Sequence, residues 1–378
     1  MNTPWRSGTA LEVALAAKLR ELLGSVAWLR KGQVSPIAPG AGGGFDLTAT
    51  LPLPKGGKAV LYVECKGELR PSLFPLVGGK ALPASGRHEV AVRVLAMPFV
   101  SPRMADLCKE SGWSWFDLAG NCLIDVPGVL RLERIGNTPA HRPPKAGANL
   151  GTPEAGRVIR ALLAPENAGI RWKQRDLQIH GLPPQSLQSP VSLGLVNKVV
   201  RHLRDEAFIE DLPGGGFQLR DPWKLLLAWR AAYRFGRHER RAYFTLLQGK
   251  RLHDALARLD LHPGGFSAYA AFSAAEFQAP HVRQAKVWVY VSAREVARLE
   301  KTLEAKTVDS GENLIVLIPD DDGVFYLCDA GSGGRMAATN PVQTYVDLYH
   351  CGGRGEEAAE ALLEQRLKPE WKLKGRSV

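Results

Sequence analysis

The chain opens on a helical period. Leu11, Leu15, Leu19 and Leu22 recur at three- and four-residue intervals, which predicts a helix over about 8–23 with one apolar face. A short strand is expected at 26–30, then a Gly-rich loop at 36–44. The period then changes. FDLTATL (45–51) and AVLYVECKG (59–67) are rich in β-branched and aromatic residues and are separated by Pro54, Gly56 and Gly57, so they predict two strands joined as a hairpin. A helical or irregular stretch follows at 69–82. EVAVRVLAMPFV (89–100) predicts a strand. SPRMADLCKESG (101–112) predicts a helix with Ser101 as N-cap, Pro102 at its first position and Gly112 at its end. WSWFDLAGNCLIDV (113–126) supplies one or two further strands, with Trp113, Trp115 and Phe116 as core. Asp117 and Asn121 are a candidate pair for contacting a ligand, but the stretch 117–121 is expected to be a turn or bulge.

GNTPAHRPPKAGANLGT (136–152) is Pro- and Gly-rich and has no apolar period, as a linker would. Beyond it, Thr152-Pro153-Glu154 starts a helix to about 164 whose apolar side carries Val158, Ile159, Leu162 and Leu163. A second short helix is expected from Trp172 to Ile179, followed by the Pro-rich GLPPQSLQSP. VSLGLVNKVVRHLRDEAFIE predicts a third helix, with Ser192 as N-cap and an apolar stripe of Leu195, Val199, Leu203 and Phe208. FIEDLPGGGFQLRD predicts two strands around a turn at Gly214–Gly216. The stretch from Trp223 begins helical. KVWVYVS (286–292), NLIVLIP (313–319) and VFYLC (324–328) are strand-like, 294–305 is helical, and two helices flank Gly352–Gly355. These boundaries give domains at 1–136, 153–222 and 223–366, a linker at 137–152 and a frayed tail at 367–378.

Composition is ordinary for a packed protein: 45% hydrophobic and 23% charged residues in a chain of 378. That excludes a disordered chain, a coiled-coil rod or a collagen-like repeat. No uncharged apolar run is long enough for a membrane span. The opening segment, cut by Glu12 and Lys18, predicts an amphipathic helix rather than a signal peptide. Five Cys without a CxxC spacing predict reduced thiols in a cytoplasm and no structural zinc. The net charge of +11 points to a polyanionic partner. Most of the surplus is local, since residues 153–250 hold sixteen Lys and Arg against nine Asp and Glu.

Two groups of residues carry candidate chemistry. In the first, Asp46 lies near the start of one predicted strand, and Glu64 and Lys66 near the end of the next. Residues two apart in a strand share a face, so Glu64 and Lys66 project together and Cys65 does not. In a hairpin, Asp46 falls beside Glu64. Two carboxylates suit Mg²⁺, which prefers oxygen ligands, and a nearby Lys can position an attacking water or neutralise developing charge. Glu12 on the opening helix is a candidate third ligand. The alternative is an edge-strand ion pair with Asp46 capping a turn. Asp46, then 17 residues, then Glu64-Cys65-Lys66, resembles the PD-(D/E)xK restriction-endonuclease-like superfamily over about residues 8–130. The resemblance implies a mixed sheet flanked by helices and a metal-dependent phosphodiesterase site with Asp46, Glu64 and Lys66 as catalytic residues, or an inactive binding platform on the same fold. Phe45 stands where the family often has Pro, and Lys55 and Lys58 make the hairpin turn basic.

In the second, helix, helix, polar-faced helix and Gly-tipped hairpin follow the order of a winged helix-turn-helix, and the pattern resembles winged-helix transcription regulators. The third helix would lie in a major groove, presenting Asn197, Lys198, Arg201 and Arg204. Ser192 would meet a phosphate at the helix N-terminus, and Arg220 would sit at the base of the wing. A solvated basic face and a protein-binding winged helix are the alternatives. Arg230, Arg234, Arg237, Arg240 and Arg241, interleaved with Tyr233, Phe235 and Tyr243, either track a phosphate backbone or lay their stems over the surface. Asp320-Asp321-Asp322 is expected to be an acidic turn. Together with FSAYAAFSAAEF, VWVYV and NPVQTYVDLYHCGGRGEEAAEALLE, the winged helix resembles AbiEi-type antitoxins of type IV toxin–antitoxin systems over roughly 153–366. That implies a DNA-binding autorepressor opposing a nucleotidyltransferase-like toxin.

The expected fold class is therefore α/β plus α+β, multidomain: an N-terminal restriction-endonuclease-like mixed sheet, a central winged helix-turn-helix and a C-terminal α/β domain. The expected function is a regulator on double-stranded DNA, antitoxin-like and carrying a homodimer as an expectation. The alternatives are a Mg²⁺-dependent DNA endonuclease targeted by the winged helix, and a scaffold that binds a protein partner.

Overall fold

A computed structural model describes residues 8–29, 33–37, 44–54, 56–83, 89–138, 147–260, 266–329 and 335–374. The chain divides into two compact units, 1–146 and 147–378. Residues 139–146 of the expected linker, and Lys55, lie outside the described residues.

In the first unit the leucine period forms α1 (Gly8–Gly24), whose buried side carries Leu11, Leu15, Leu19 and Leu22. The strand expected at 26–30 is instead a single 3-10 turn at 27–29. Leu29 is buried there, and among the described residues no strand pairs with 27–29. β1 (Gln33–Pro36) follows, then β2 (Leu47–Pro52) and β3 (Lys58–Cys65). A one-turn helix α2 (Pro75–Gly78) leads to β4 (Glu89–Met97). Helix α3 (Pro102–Glu110) is capped by Ser101, whose hydroxyl accepts the Met104 amide at 3.2 Å. β5 (Ser114–Asp117), β6 (Cys122–Val126) and β7 (Leu130–Arg134) complete a seven-stranded sheet in sequential order. The sheet is mixed: β3, β4 and β5 run parallel and the other neighbouring pairs antiparallel. Helix α1 and the inner positions of β2–β6 share one core, while Phe45, Phe74, Trp113 and Trp115 belong to a second.

The second unit begins with α4 (Pro153–Leu163), α5 (Asp176–Ile179) and α6 (Leu193–Asp205), followed by the hairpin β8 (Ile209–Asp211) and β9 (Phe217–Leu219). Then come α7 (Pro222–Ala232), β10 (Glu239–Phe244), α8 (Gly249–Asp260), β11 (Ser267–Tyr269), α9 (Ala271–Gln278), β12 (Val287–Val291), α10 (Val296–Leu303), β13 (Lys306–Thr307) and β14 (Leu314–Ile318). Helices α11 (Pro341–His350), α12 (Gly355–Leu362) and α13 (Lys368–Lys374) close it. The five strands order as β11-β12-β14-β10-β13, and only β12 and β14 pair in parallel. Both are apolar along nearly their whole length, as expected of strands covered on two faces. Residues 153–222 and 223–366 therefore share one compact unit.

Four local expectations are corrected. Trp172 is not helical: it bridges to Phe217, with reciprocal backbone hydrogen bonds of 2.8 and 3.0 Å. The buried stripe of α6 is Val196, Val199, Val200 and Leu203, so the helix is rolled away from Leu195, which is only partly buried. VFYLC does not form a strand, because residues 322–325 turn as a 3-10 helix started by Asp321, whose carboxylate accepts the Gly323 amide. The stretch 368–374, expected to fray, is helical. Trp371 there is buried and donates its indole N–H to the Leu163 carbonyl at 2.9 Å.

Candidate functional site

In the first unit the pairing of β2 with β3 puts Leu47 opposite Val63. Asp46, one residue earlier, donates its amide to the Val63 carbonyl at 2.9 Å, and its carboxylate accepts the Cys65 amide at 2.7 Å. Glu64 is 2% exposed. Its two oxygens meet two ammonium groups, Lys66 on Oε1 and Lys80 on Oε2. A buried carboxylate demands such compensation, because an unpaired charge there would be strongly destabilising. Lys80 was not foreseen. It follows α2, also donates to the Gly44 carbonyl at 2.6 Å, and stands 5.4 Å from the centroid of the Phe45 ring. Sequence spacing carries no trace of a contact across 16 residues that run through a 3-10 turn and α2.

Glu12 acts on the same strand end. The Cys65 thiol is pushed up by burial first, then by Asp46, Glu12 and Glu64. These hard oxygen donors suit Mg²⁺ in kind. In arrangement, however, Glu64 is already met by two lysines, and Asp46 is engaged by the Cys65 amide. Among the described residues no group of three or more His, Cys, Asp or Glu stands where it could hold a metal ion. An ion on Glu64 would have to displace Lys66 or Lys80.

Asp117 is fully buried and serves the turn after β5. Its oxygens accept the Asn121 amide at 2.9 Å and the Asn121 side-chain amide at 3.0 Å, while Gly120 takes a φ of +91°. Trp113, Trp115 and Phe116 are all buried.

In the second unit, α6 starts at Ser192, whose hydroxyl accepts the Leu195 amide at 3.3 Å. With Val196, Val199, Val200 and Leu203 turned inward, Asn197, Lys198 and Arg201 are exposed on the opposite face. Arg204 is engaged differently. It makes a two-pronged pair with Asp211 of β8 at 2.9 and 2.8 Å, tying the end of α6 to the hairpin. Arg220 is exposed just after β9. The hairpin turns through Gly214, Gly215 and Gly216, all at positive φ. A Cβ on Gly216 would stand 2.9 Å from the Trp172 carbonyl oxygen. Arg171, another basic residue that was not foreseen, is exposed with its side chain against Gly214 and Gly216 at the hairpin turn.

The run of arginines after α7 divides between structure and surface. Arg230 donates to the Tyr345 hydroxyl at 2.8 Å and lies 3.9 Å from the Tyr349 ring centroid. Arg241 pairs with Glu239, Arg240 lies over Trp288, and Arg234 and Arg237 are exposed. Tyr233 is buried and belongs to a polar network around Asp347. One oxygen of Asp347 accepts from Tyr233 at 2.7 Å, Gln343 at 2.8 Å and Tyr290 at 3.1 Å, and the other oxygen has no partner among the described residues. Complete burial pushes the Asp347 carboxyl up to about 7. Two residues of the acidic turn are engaged: Asp321 pairs with Arg157 at 2.6 Å, and Asp322 accepts the Ser186 hydroxyl at 2.7 Å.

Residues 218–368 match a family described as transcriptional regulators, the AbiEi antitoxins of type IV toxin–antitoxin systems. The match starts within β9 and extends just into α13. It covers the later part of the stretch that resembled this family and leaves α4–α6 outside. No curated protein and no solved structure matches the chain. Among the described residues no helix is long and apolar enough to cross a membrane.

Proposed function

We propose that the protein is a DNA-binding transcriptional regulator of the antitoxin type, and that residues 153–222 are its winged helix. The observation that carries this reading is the solvent face of α6, where Asn197, Lys198 and Arg201 are exposed on a helix whose other side is locked into the core. The similarity of residues 218–368 to AbiEi antitoxins supports the same class. Exposed Asn and Arg on one helix face suit base edges in a major groove, and Lys198 and Arg201 suit phosphates. Ser192 leaves the α6 N-terminus open to a phosphate, and Arg171 and Arg220 flank the hairpin that would serve as wing. Arg204 acts through Asp211 to fix the wing against the helix, a different role from base reading. A homodimer on a two-fold site, a nucleotidyltransferase-like toxin as protein partner and a cytoplasmic location belong to this proposal.

Fluorescence anisotropy with the duplex upstream of the gene, beside a shuffled duplex of equal length, tests it. Selective binding that weakens steeply with salt is expected. Equal affinity for both duplexes would remove the regulator reading.

A second reading rests on Asp46, Glu64 and Lys66 lying together at the ends of β2 and β3. In it the first unit is a restriction-endonuclease-like domain that cleaves phosphodiesters with Mg²⁺, with Glu12 as an added ligand. Plasmid incubation with Mg²⁺ or Mn²⁺, wild type beside Glu64→Ala, decides it: cleavage lost in the variant supports the reading, and identical outcomes refute it.

A further inference from the structure

At the start of α4 a small open cleft is lined by Arg160, Trp229, Arg234, Arg237, His238 and Asp320. Three guanidinium groups face one carboxylate there, since the neighbouring Asp321 is already neutralised by Arg157. Two of the polar groups are buried and unfulfilled. Arg160 is 5% exposed. Its Nε donates to Gln343 at 2.6 Å, but its Nη1 has no partner among the described residues. His238 is 7% exposed. Its Nε2 meets the Tyr233 hydroxyl at 2.8 Å, and its Nδ1 is unpartnered.

The hydrogen-bond network fixes what His238 presents. Tyr233 gives its only proton to Asp347, so its oxygen must accept from His238. The imidazole is held neutral, because burial and then Arg160 depress its basicity to about 4. Nε2 therefore carries the proton, and Nδ1 offers a lone pair. The Asp320 carboxylate, another acceptor, stands 3.6 Å from it, too far for a mutual hydrogen bond. The cleft thus combines positive charge and an idle guanidinium donor with two adjacent acceptors. A fully deprotonated anion satisfies only the cationic half. An anion that carries its own proton satisfies both.

We propose that this cleft binds a phosphate anion with an ionisable hydroxyl, either inorganic phosphate or the terminal group of a phosphate monoester. Its oxygens take Arg160, Arg234 and Arg237, and its P–OH donates to His238 Nδ1 or Asp320. Sulfate has the same shape but no proton near neutral pH, so the acceptor pair rejects it. A backbone diester lacks the proton too, which separates this site from any groove that tracks DNA.

Isothermal titration of the full chain at pH 7, in buffer free of phosphate and sulfate, tests the proposal with sodium phosphate, AMP and sodium sulfate as separate titrants. Phosphate, AMP or both should bind, and which of them does identifies the source of the group. Sulfate should bind at least about tenfold more weakly, the worth of one charged hydrogen bond. Arg237→Ala and Arg234→Ala alter exposed side chains and leave the core intact. Each should weaken phosphate binding about tenfold. Asp320→Asn replaces an acceptor with a donor-bearing amide and should narrow the gap between phosphate and sulfate. No binding by either phosphate or AMP, equal binding of sulfate, or unchanged binding by both arginine variants overturns the proposal.

Discussion

Trp172 and Phe217 exchange both of their backbone hydrogen bonds, so a residue four positions before α5 becomes a third, one-residue strand beside the β8–β9 hairpin. The indole is buried and meets the His180 ring edge-on at 5.1 Å between centroids. The hairpin is thus anchored to the helices by a side chain and not only by its covalent connection to α6. Trp172→Ala should lower stability by about 3–5 kcal/mol, the usual range for emptying a large aromatic site. Urea unfolding measures this directly; a change under 1 kcal/mol would mean the anchor is not formed.

Gly216 provides the complementary test. Its φ is +79°, and a Cβ would press on the Trp172 carbonyl oxygen. Gly216→Ala should destabilise by about 1–3 kcal/mol through strain at that backbone position. Gly215→Ala has open space around its Cβ and incurs only the cost of its own positive φ. A larger loss for Gly215→Ala, read by thermal unfolding, would contradict the packing.

On the regulator reading, Lys198→Ala and Arg201→Ala should each weaken promoter binding about tenfold. Each should also flatten the slope of log affinity against log salt by about one, with the circular dichroism spectrum unchanged. Arg204→Ala should behave differently. It loosens an exposed pair worth at most about 1 kcal/mol, so its effect on DNA should come through a less fixed hairpin and should be reproduced by Asp211→Ala. Wild-type salt slopes in both Lys198 and Arg201 variants would exclude α6 as the contacting element.

Asp347 makes a pH prediction. Its carboxyl is raised to about 7 in the folded protein, against about 4 for an unperturbed Asp. The unfolded chain therefore gives up this proton first as pH rises. The group's contribution to stability is full below about pH 4, declines between about 4 and 7, and is level above that. Asp347→Asn cannot titrate. The stability of wild type relative to Asp347→Asn should thus fall as pH rises across that window, by up to about 1.4 kcal/mol per pH unit. His238 titrates with the opposite sign in both proteins, so the difference largely cancels it. Urea midpoints at pH 5, 6, 7 and 8 for the pair supply the measurement, and a pH-independent difference would refute the assignment.

Around Glu64, the two lysines are not equivalent. Lys80 also donates to the Gly44 carbonyl and covers the Phe45 ring, whereas Lys66 lies two residues further along the same strand end. Lys80→Ala should therefore cost more stability than Lys66→Ala, about 1–3 kcal/mol for the former as a charged hydrogen-bond loss. Equal effects would mean that the contacts of Lys80 beyond Glu64 contribute nothing.

Much of this was legible in the sequence where chemistry is local. The leucine period gave the boundaries of α1 within a residue. Ser101, Thr152 and Ser192 marked helix starts because capping acts over three residues, and the two-residue repeat of a strand put Glu64 and Lys66 on one face. Long-range relationships left no such trace. Lys80 reaches Glu64 from beyond α2, and a one-residue strand such as Trp172 has no period at all. Arg157 and Arg160 are charged residues on a helix read only by its apolar side. They are buried because Asp321 and Gln343, more than 160 residues away, supply their partners. VFYLC had a strand's composition, yet Asp321 imposed a turn through one hydrogen bond to Gly323.

Those two arginines bear on how the molecule can be taken apart. Helix α4 presents Arg157 to Asp321, Arg160 to Gln343 and the Leu163 carbonyl to Trp371. A fragment ending near residue 222 would leave Arg157 with Gln188 and Ser189 but without its counter-charge, strip Arg160 of Gln343, and expose an apolar helix face. The segment with the basic helix is not a cassette that can be excised or grafted by itself. A truncation that retains α4 with its partners in place must keep Asp321, Gln343 and Trp371.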